Sequence, residues 1–251
     1  RIIIGIEDNK KSAFELIQKK LNDLLENEAI PEEPLREVSL LKTKYPQGAE
    51  KNLIYALLRR KVPRGGLPFD VGVVVQNVGT AKAIWEAVSL SKPLYEKALT
   101  VTGSGINNPK NLVVRIGTPF QKVVDFCGGL NDAANILVMG GPMMGIAQWS
   151  LDVPVIKGTS GILAWAVARP QAEYSCIRCG RCVEHCPMSL VPTQLAKYVK
   201  FDHLTEARNW GILDCVECGS CQFICPSKIP LVHWIRLGKN KVMSLERKES
   251  A

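Results

Sequence analysis

Apolar and polar residues alternate in blocks along the first ninety residues, in the order expected of strands that take turns with helices. Apolar runs at Ile2–Ile6, Glu37–Leu41 and Val71–Val75 predict three short strands, and apolar residues recur at helical spacing between and after them. In the first predicted helix, Ser12 and Glu15 have the spacing of a capping box. This order predicts a parallel sheet covered by helices on both faces.

The pattern changes after Pro93. Segments Ala98–Gly103 and Leu112–Gly117 predict a pair of strands, Phe120–Phe126 a short helix, and Ile136–Met139 another strand. Two strands, a helix and a further strand within about fifty residues favour a small β-grasp-like module. A last apolar run, Gly161–Ala168, predicts a strand that returns to the main body.

Eight of the nine cysteines fall in two copies of the pattern C-x2-C-x2-C-x3-C-P, read as CIRCGRCVEHCP and CVECGSCQFICP. This is the bacterial ferredoxin spacing, in which three thiolates hold one [4Fe–4S] cluster and the fourth cysteine reaches across to the other. The first predicted ligand set is Cys176, Cys179, Cys182 and Cys225. The second predicted set is Cys215, Cys218, Cys221 and Cys186. The sequence between the copies predicts a helical domain, and the charged tail from Lys239 to Ala251 is expected to fray.

Two other uses of cysteine fit the pattern less well. Structural zinc sites use two well separated C-x2-C pairs, whereas here three cysteines follow at three-residue steps in each copy. Disulfide frameworks belong to short secreted chains, and this chain has 251 residues with 46% apolar composition. The ninth cysteine, Cys127, stands alone before two glycines, which is typical of a packed thiol at a helix end.

Charge and hydropathy exclude some classes of protein. The formal net charge is +8, but each oxidised four-thiolate cluster adds about −2, which lowers it to roughly +4. The basic residues are scattered, so we expect a solvated surface and no nucleic-acid partner. The longest apolar run, Gly161–Ala168, is too short for a transmembrane segment. The chain opens without an initiating methionine, at Arg1 directly before an apolar run, so we expect that an upstream segment is absent or processed.

Polar loops follow each predicted strand of the first domain. In open α/β sheets, ligands bind beyond the carboxyl ends of the strands, which here are the loops near Ile6–Asn9, Lys42–Glu50 and Gln76–Thr80. These loops carry groups that can bond a ribityl chain, a ribose or a phosphate. Neither a G-x-G-x-x-G motif nor a Walker lysine motif is present. The spacing alone therefore leaves two interpretations open, a nucleotide site or ordinary turns and caps.

Several longer strings together resemble a known family. They are IIIGIEDNK, TKYPQGAEK, VPRGGLP, VGVVVQNVGT, TVTG, GGPMMG and the two cysteine strings. Over nearly its whole length the chain resembles the C subunits of the Rnf (Rsx) ion-translocating electron transport complex. That family is itself similar to the NADH-binding flavoprotein of respiratory complex I.

The resemblance implies a fold and a division into domains. A Rossmann-like FMN and NAD(H) domain, incomplete at its N-terminus, is expected over 1–96, and a β-grasp (SLBB-like) domain over 97–150. A return strand and linker are expected over 151–172, and an α-helical 2[4Fe–4S] ferredoxin-like domain over 173–251. The implied protein is a peripheral subunit on the cytoplasmic face of the inner membrane, without a transmembrane segment of its own.

The flavin site carries over from the family only in part. The flavoprotein's Y-x-x-G-E-E loop resembles Tyr45, Gly48 and Glu50, with Ala49 at the first acidic position, and its N-N-V-E-T loop matches at Asn77, Val78 and Thr80. The resemblance implies that Tyr45, Gly48, Glu50, Asn77 and Thr80 contact the cofactor. The glycine-rich segment that cradles the FMN phosphate has no match, so we expect the flavin site to be incomplete in this chain.

These features together predict an NAD(H)-linked oxidoreductase subunit. Electrons would pass between ferredoxin-derived iron–sulfur clusters, FMN and NAD(H), with other subunits of a membrane-bound Rnf-type complex, one of them an iron–sulfur protein, as partners. An alternative is an iron–sulfur relay or scaffold subunit without its own nucleotide site. A third interpretation, a zinc-dependent nucleic-acid binder, predicts a colourless protein, whereas clusters absorb visible light.

Overall fold

A computed structural model describes residues 1–31, 33–166 and 172–249. The chain forms two compact units, Arg1–Val75 and Gln76–Ala251. Among the described residues, no helix combines the length and the apolar character needed to cross a bilayer.

Among its described residues, the first unit contains two strands and two α-helices. They are β1 (Ile2–Glu7), α1 (Lys11–Glu26), β2 (Arg36–Leu41) and α2 (Glu50–Leu58). Strands β1 and β2 are parallel, with Ile2 opposite Arg36 and Glu7 opposite Leu41. The predicted capping box is wrong, because α1 begins one residue before Ser12 and its N-cap is Lys10, which makes no side-chain cap bond. Ser12 therefore lies inside the first helical turn.

The third strand predicted for this unit does not form. Its sheet has two strands, β1 and β2. Pro68–Val71 is a 3₁₀ turn, and Gly72 follows it with a φ of +69°. A left-handed residue turns the chain away from the extended path that a strand needs, so Val73–Val75 continue as irregular chain. The expectation of a larger sheet covered on both faces is wrong for the same reason.

The second unit begins with a helix and a five-stranded sheet. Its elements are α3 (Val78–Leu90), β3 (Glu96–Thr102), β4 (Lys110–Arg115), α4 (Phe120–Phe126), β5 (Ile136–Met139), β6 (Ile146–Gln148) and β7 (Gly161–Trp165). The strand order is β4-β3-β7-β5-β6. Strand β7 is parallel to β3 and antiparallel to β5, so it is the centre of this sheet. Its apolar run returns to this sheet and not to the β1–β2 sheet; Val167 and Ala168, also predicted there, lie outside the described residues.

The five strands β3–β7 and helix α4 form a sheet module, whose core lies between the strands and α4. Phe120, Val124, Val101 and Ile162 are fully buried there. Cys127 packs in the same core directly after α4, as the sequence predicts for a thiol at a helix end. A central strand is covered on both faces, which explains why β7 reads as a continuous apolar run.

Helices are the regular elements of residues 172–249. They include α5 (Arg181–Glu184), α6 (Pro192–Lys200), α7 (Leu204–Asn209), α8 (Ser220–Phe223) and α9 (Leu231–Glu249). Pro192 is the first residue of α6, where its missing N–H costs no hydrogen bond. Leu195 and Ile235 are fully buried where α6 packs on α9. The predicted fraying is wrong for Lys239–Glu249, because α9 continues to Glu249; the last two residues of the predicted tail, Ser250 and Ala251, lie outside the described residues.

Candidate metal centres

Each cysteine string folds into a loop followed by one short helix, and the two loops share the same backbone. In the first loop Arg178 has a φ of +57° and Gly180 of +76°, directly before α5. In the second, Glu217 (+54°) and Gly219 (+86°) occupy the same places before α8. The N–H groups of Arg178 and Glu217 each donate to the cysteine sulfur two residues earlier, at 3.4 Å. The repeat in the sequence is therefore a repeat in structure.

The first cavity is lined by thiols from both strings and has about 190 Å³ of free space. Its four cysteines are Cys176, Cys179, Cys182 and Cys225. Cys176 and Cys179 are exposed, whereas Cys182 and Cys225 are buried. Burial raises the pKa of the Cys182 thiol, and hydrogen bonding with Thr193 offsets part of that rise. The structure thus brings together the residues that the crossed spacing assigns to the first cluster.

The second cavity is tighter, with about 20 Å³ of free space. Its four cysteines are Cys186, Cys215, Cys218 and Cys221. Cys218 and Cys221 are buried. The structure brings together this second predicted set as well. The two sets differ in exposure, because two cysteines of the first set are exposed, whereas those of the second set are buried or half-buried beside apolar side chains such as Leu195 and Ile235.

Two thiols of the second cavity, Cys215 and Cys221, have raised pKa values. Burial, with the charge of neighbouring thiols, raises the pKa of Cys215 to about 11 and that of Cys221 to about 12. Cys186 and Cys218 are among the neighbours that raise both values. Metal and cluster ligands are thiolates, so binding at these positions releases protons.

A charged network that the sequence analysis did not predict flanks the second ligand loop. The Glu217 carboxylate accepts a hydrogen bond from Arg236 Nε at 2.8 Å and pairs with Lys239 Nζ at 3.3 Å. Lys239 Nζ also donates to the Cys215 carbonyl at 2.7 Å. Partial burial raises the pKa of Glu217, but these two cations outweigh it and the net pKa is lowered. The sequence signal that could have revealed this network is the three-residue spacing of Arg236 and Lys239, which places both on one face of α9.

The donor sets fit iron–sulfur cubes. Each iron of a [4Fe–4S] cube takes one cysteine, so the four sulfurs surround a volume and do not meet at one point. Both sets line a cavity wall in this way, and within residues 1–31, 33–166 and 172–249 no three His, Cys, Asp or Glu side chains converge on a single ion position. The free space between the thiols is about 190 Å³ in the first cavity and about 20 Å³ in the second.

The flavin residues predicted in the first unit lie after β2. Tyr45, Gly48 and Glu50 span the loop that ends at the first residue of α2, and all three are exposed. At the same edge of the sheet, the Asp8 carboxylate accepts hydrogen bonds from the Thr43 hydroxyl at 2.7 Å and from its N–H at 3.0 Å. These bonds lower the pKa of Asp8 and tie the loops after β1 and β2 together.

The other two predicted flavin residues belong to the second unit. Asn77 is the N-cap of α3, and its side-chain oxygen accepts a hydrogen bond from the Gly79 N–H at 2.9 Å. Thr80 lies in the first turn of the same helix and is exposed. The capping interpretation therefore holds for Asn77 in the structure as it stands.

Three segments of the chain match known protein families. Residues 1–86 match the Nuo51 FMN-binding domain, residues 99–147 the SLBB domain, and residues 166–229 the 4Fe-4S dicluster domain. An FMN-binding domain is thus followed by an SLBB domain and an iron–sulfur domain, which is the coarse order that the sequence analysis predicts.

Similar proteins agree with these matches. The chain is 46% identical to the C subunit of the Na(+)-translocating ferredoxin:NAD(+) oxidoreductase complex of Acetobacterium woodii, covering 98% of this chain and 54% of that protein. It is 46% identical to the C subunit of the proton-translocating ferredoxin:NAD(+) oxidoreductase complex of Clostridium ljungdahlii (100% and 53%). It is 39% identical to the C subunit of the ion-translocating oxidoreductase complex of Erwinia tasmaniensis (98% and 30%).

The chain spans about half the length of the first two of these relatives. The family that the sequence strings indicate is the one that these comparisons find. Along its whole length, the chain therefore resembles the C subunits of Rnf-type complexes, which are in turn similar to the NADH-binding flavoprotein of respiratory complex I.

Proposed function

We propose that this chain is the electron-transfer part of a membrane-bound, ion-translocating ferredoxin:NAD(+) oxidoreductase complex of the Rnf type. It moves electrons between two [4Fe–4S] clusters, FMN and NAD(H), on the cytoplasmic face of the inner membrane. Its partners are the other subunits of the complex, including an iron–sulfur subunit. The observation that carries this proposal is the pair of crossed four-cysteine cavities in a chain whose first 86 residues match an FMN-binding domain.

The cysteines would hold one cluster in each cavity. Cys176, Cys179, Cys182 and Cys225 hold the first, and Cys215, Cys218, Cys221 and Cys186 hold the second. When bound, the clusters supply one-electron transfer and FMN supplies the exchange between single electrons and hydride. The chain itself provides ligation, burial and spacing.

The spacing of the two sites suits direct electron transfer. Cys182 lines the first cavity and Cys186 the second, and they are only four positions apart in sequence. A chain of four residues spans at most about 14 Å, so the ligands of the two sites are held close together. Because Cys182 and Cys186 belong to different ligand sets, the short segment between them links the two sites covalently.

The network around Glu217 gives the second site its own electrostatics. Two cations, Arg236 and Lys239, share one carboxylate there, and Lys239 also bonds the Cys215 carbonyl. Net charge and hydrogen bonds near a cluster help to set its reduction potential. A net positive surrounding favours the reduced, more negative cluster, so the network would raise the potential of the second site.

The nucleotide part of the proposal rests on the match of residues 1–86 and on the exposed loop residues. Tyr45, Gly48, Glu50, Asn77 and Thr80 are the proposed contacts to FMN. Residues 1–96 would form the Rossmann-like part, 97–150 the β-grasp part, 151–172 the return strand and linker, and 173–251 the cluster domain.

The whole protein with reconstituted clusters and added FMN tests this function. We expect it to retain flavin and to pass electrons from NADH to an artificial acceptor. The isosteric change Glu50→Gln should weaken flavin retention and leave the iron content unchanged, because Glu50 lines neither cysteine cavity. A protein that keeps its iron, binds no FMN and does not oxidise NADH would instead be a relay without a nucleotide site.

A further inference from the structure

The two ligand loops match in backbone but differ in what packs behind them. Gly180 is exposed, and a Cβ added to it would have no neighbour within 4 Å. Gly219, its counterpart, is buried, and a Cβ there would lie 2.9 Å from the Met143 carbonyl oxygen and 3.4 Å from Met143 Cε. The second loop is therefore backed by Met143, and the first loop is open at the same place.

The turn that carries Met143 is fixed to the sheet. It joins β5 to β6, and the Gly145 N–H donates to the Gly141 carbonyl across it at 2.8 Å. The Gly140 N–H donates to the Gly161 carbonyl at the start of β7, also at 2.8 Å. A Cβ on Gly145 would lie 2.4 Å from Val138 Cγ1. The turn is thus tied to the central strand and tightly packed, so it cannot yield easily where it meets the second loop.

This contact agrees with the difference between the cavities. The loop that contains Gly219 lines the tight cavity of about 20 Å³, whereas the loop that contains Gly180 lines the cavity of about 190 Å³. The loop that Met143 backs therefore lines the smaller cavity, and the loop without such backing lines the larger one.

We propose that the β5–β6 turn is a brace for the second ligand loop, with Met143 as a positioning residue, so that the sheet module controls how firmly the second cluster is held and leaves the first cluster alone. The proposal rests on the two-cluster function proposed above. Met143 acts through the loop backbone at Gly219 and is not itself a ligand. The two clusters of the relay then differ in how firmly the chain holds them.

The side chain of Met143 is the first part of the brace to test. In the full chain with reconstituted clusters, Met143→Gly should make the visible absorbance bleach in air in two phases, the fast one with about half the amplitude, since each cluster contributes about half. Electron paramagnetic resonance should show that the fast phase is the second cluster. The control is Met144→Gly, because Met144 is 47% exposed in the same turn. Equal bleaching of the two variants would overturn the proposal.

The glycine pair tests the backbone part of the brace. Gly180→Ala and Gly219→Ala place the same left-handed strain in equivalent loops, but only the second also meets the Met143 carbonyl. Gly219→Ala should lose about four of eight irons, more than Gly180→Ala loses. Similar losses of iron in both variants would contradict the proposal that Met143 supports the second loop. A wild-type chain that holds no clusters would instead refute the function on which it rests, and if Gly219→Ala does not fold, the methionine pair decides.

Discussion

Replacing Cys225 by serine is expected to remove the first cluster, although Cys225 belongs to the second cysteine string. Cys225 lines the same cavity as Cys176, Cys179 and Cys182, so its loss leaves the first cube with three thiolates. Iron should fall from about eight to about four per chain, and the electron paramagnetic resonance signal of the second cluster should persist. Cys186→Ser should give the reciprocal result, because Cys186 lines the second cavity.

A suitable control for these variants is Cys127→Ala. Cys127 is fully buried in the core of the sheet module and lines neither cavity. It tests whether loss of any buried thiol lowers the iron content. If Cys225→Ser loses the second cluster and keeps the first, ligation is not crossed and the assignment of both cysteine sets is wrong.

Removing both clusters is expected to unfold the helical part of the chain and to leave the sheet module folded. Cys182, Cys221 and Cys225 are core residues of the helical part, packed with Leu231 and Val232. Helices α5 and α8 have four residues each, too few to be stable without tertiary support.

Amide hydrogen exchange tests this prediction when it is measured before and after the clusters are removed anaerobically with a chelator. Amides of α6 and α9 should lose protection, while those of β3 and β7 should keep it, because the sheet has its own core around Phe120 and Ile162. Adding iron and sulfide back should restore the protection. Unchanged exchange in α6 and α9 would mean that the helices fold independently of the clusters. Equal loss in the sheet would mean that the second unit is one cooperative block.

The sequence predicted which cysteines line the same cavity, because ligand spacing is a local property. Two strings of the same spacing determine which thiols share a cavity, and most helices and strands have strong local patterns. The helix Phe120–Phe126 and the strand Ile136–Met139 have the predicted bounds. Strand β6 (Ile146–Gln148) could not be predicted, because three residues are too few to show an alternation of apolar and polar positions.

The errors have local and non-local causes. The run at Val71–Val75 resembles a strand, but the 3₁₀ turn and left-handed Gly72 redirect it. The charged tail resembles a fraying end, yet Val242 of α9 is buried in the helical core and the helix continues past it. The contact between Met143 and Gly219 joins residues far apart in the chain, and no local pattern could predict it.

Iron and acid-labile sulfide per chain, measured on protein purified without oxygen together with its visible spectrum, test the central claim most directly. Two crossed [4Fe–4S] clusters predict about eight irons and about eight sulfides per chain, with broad absorption that dithionite bleaches. Zinc without sulfide in a colourless protein would contradict the claim.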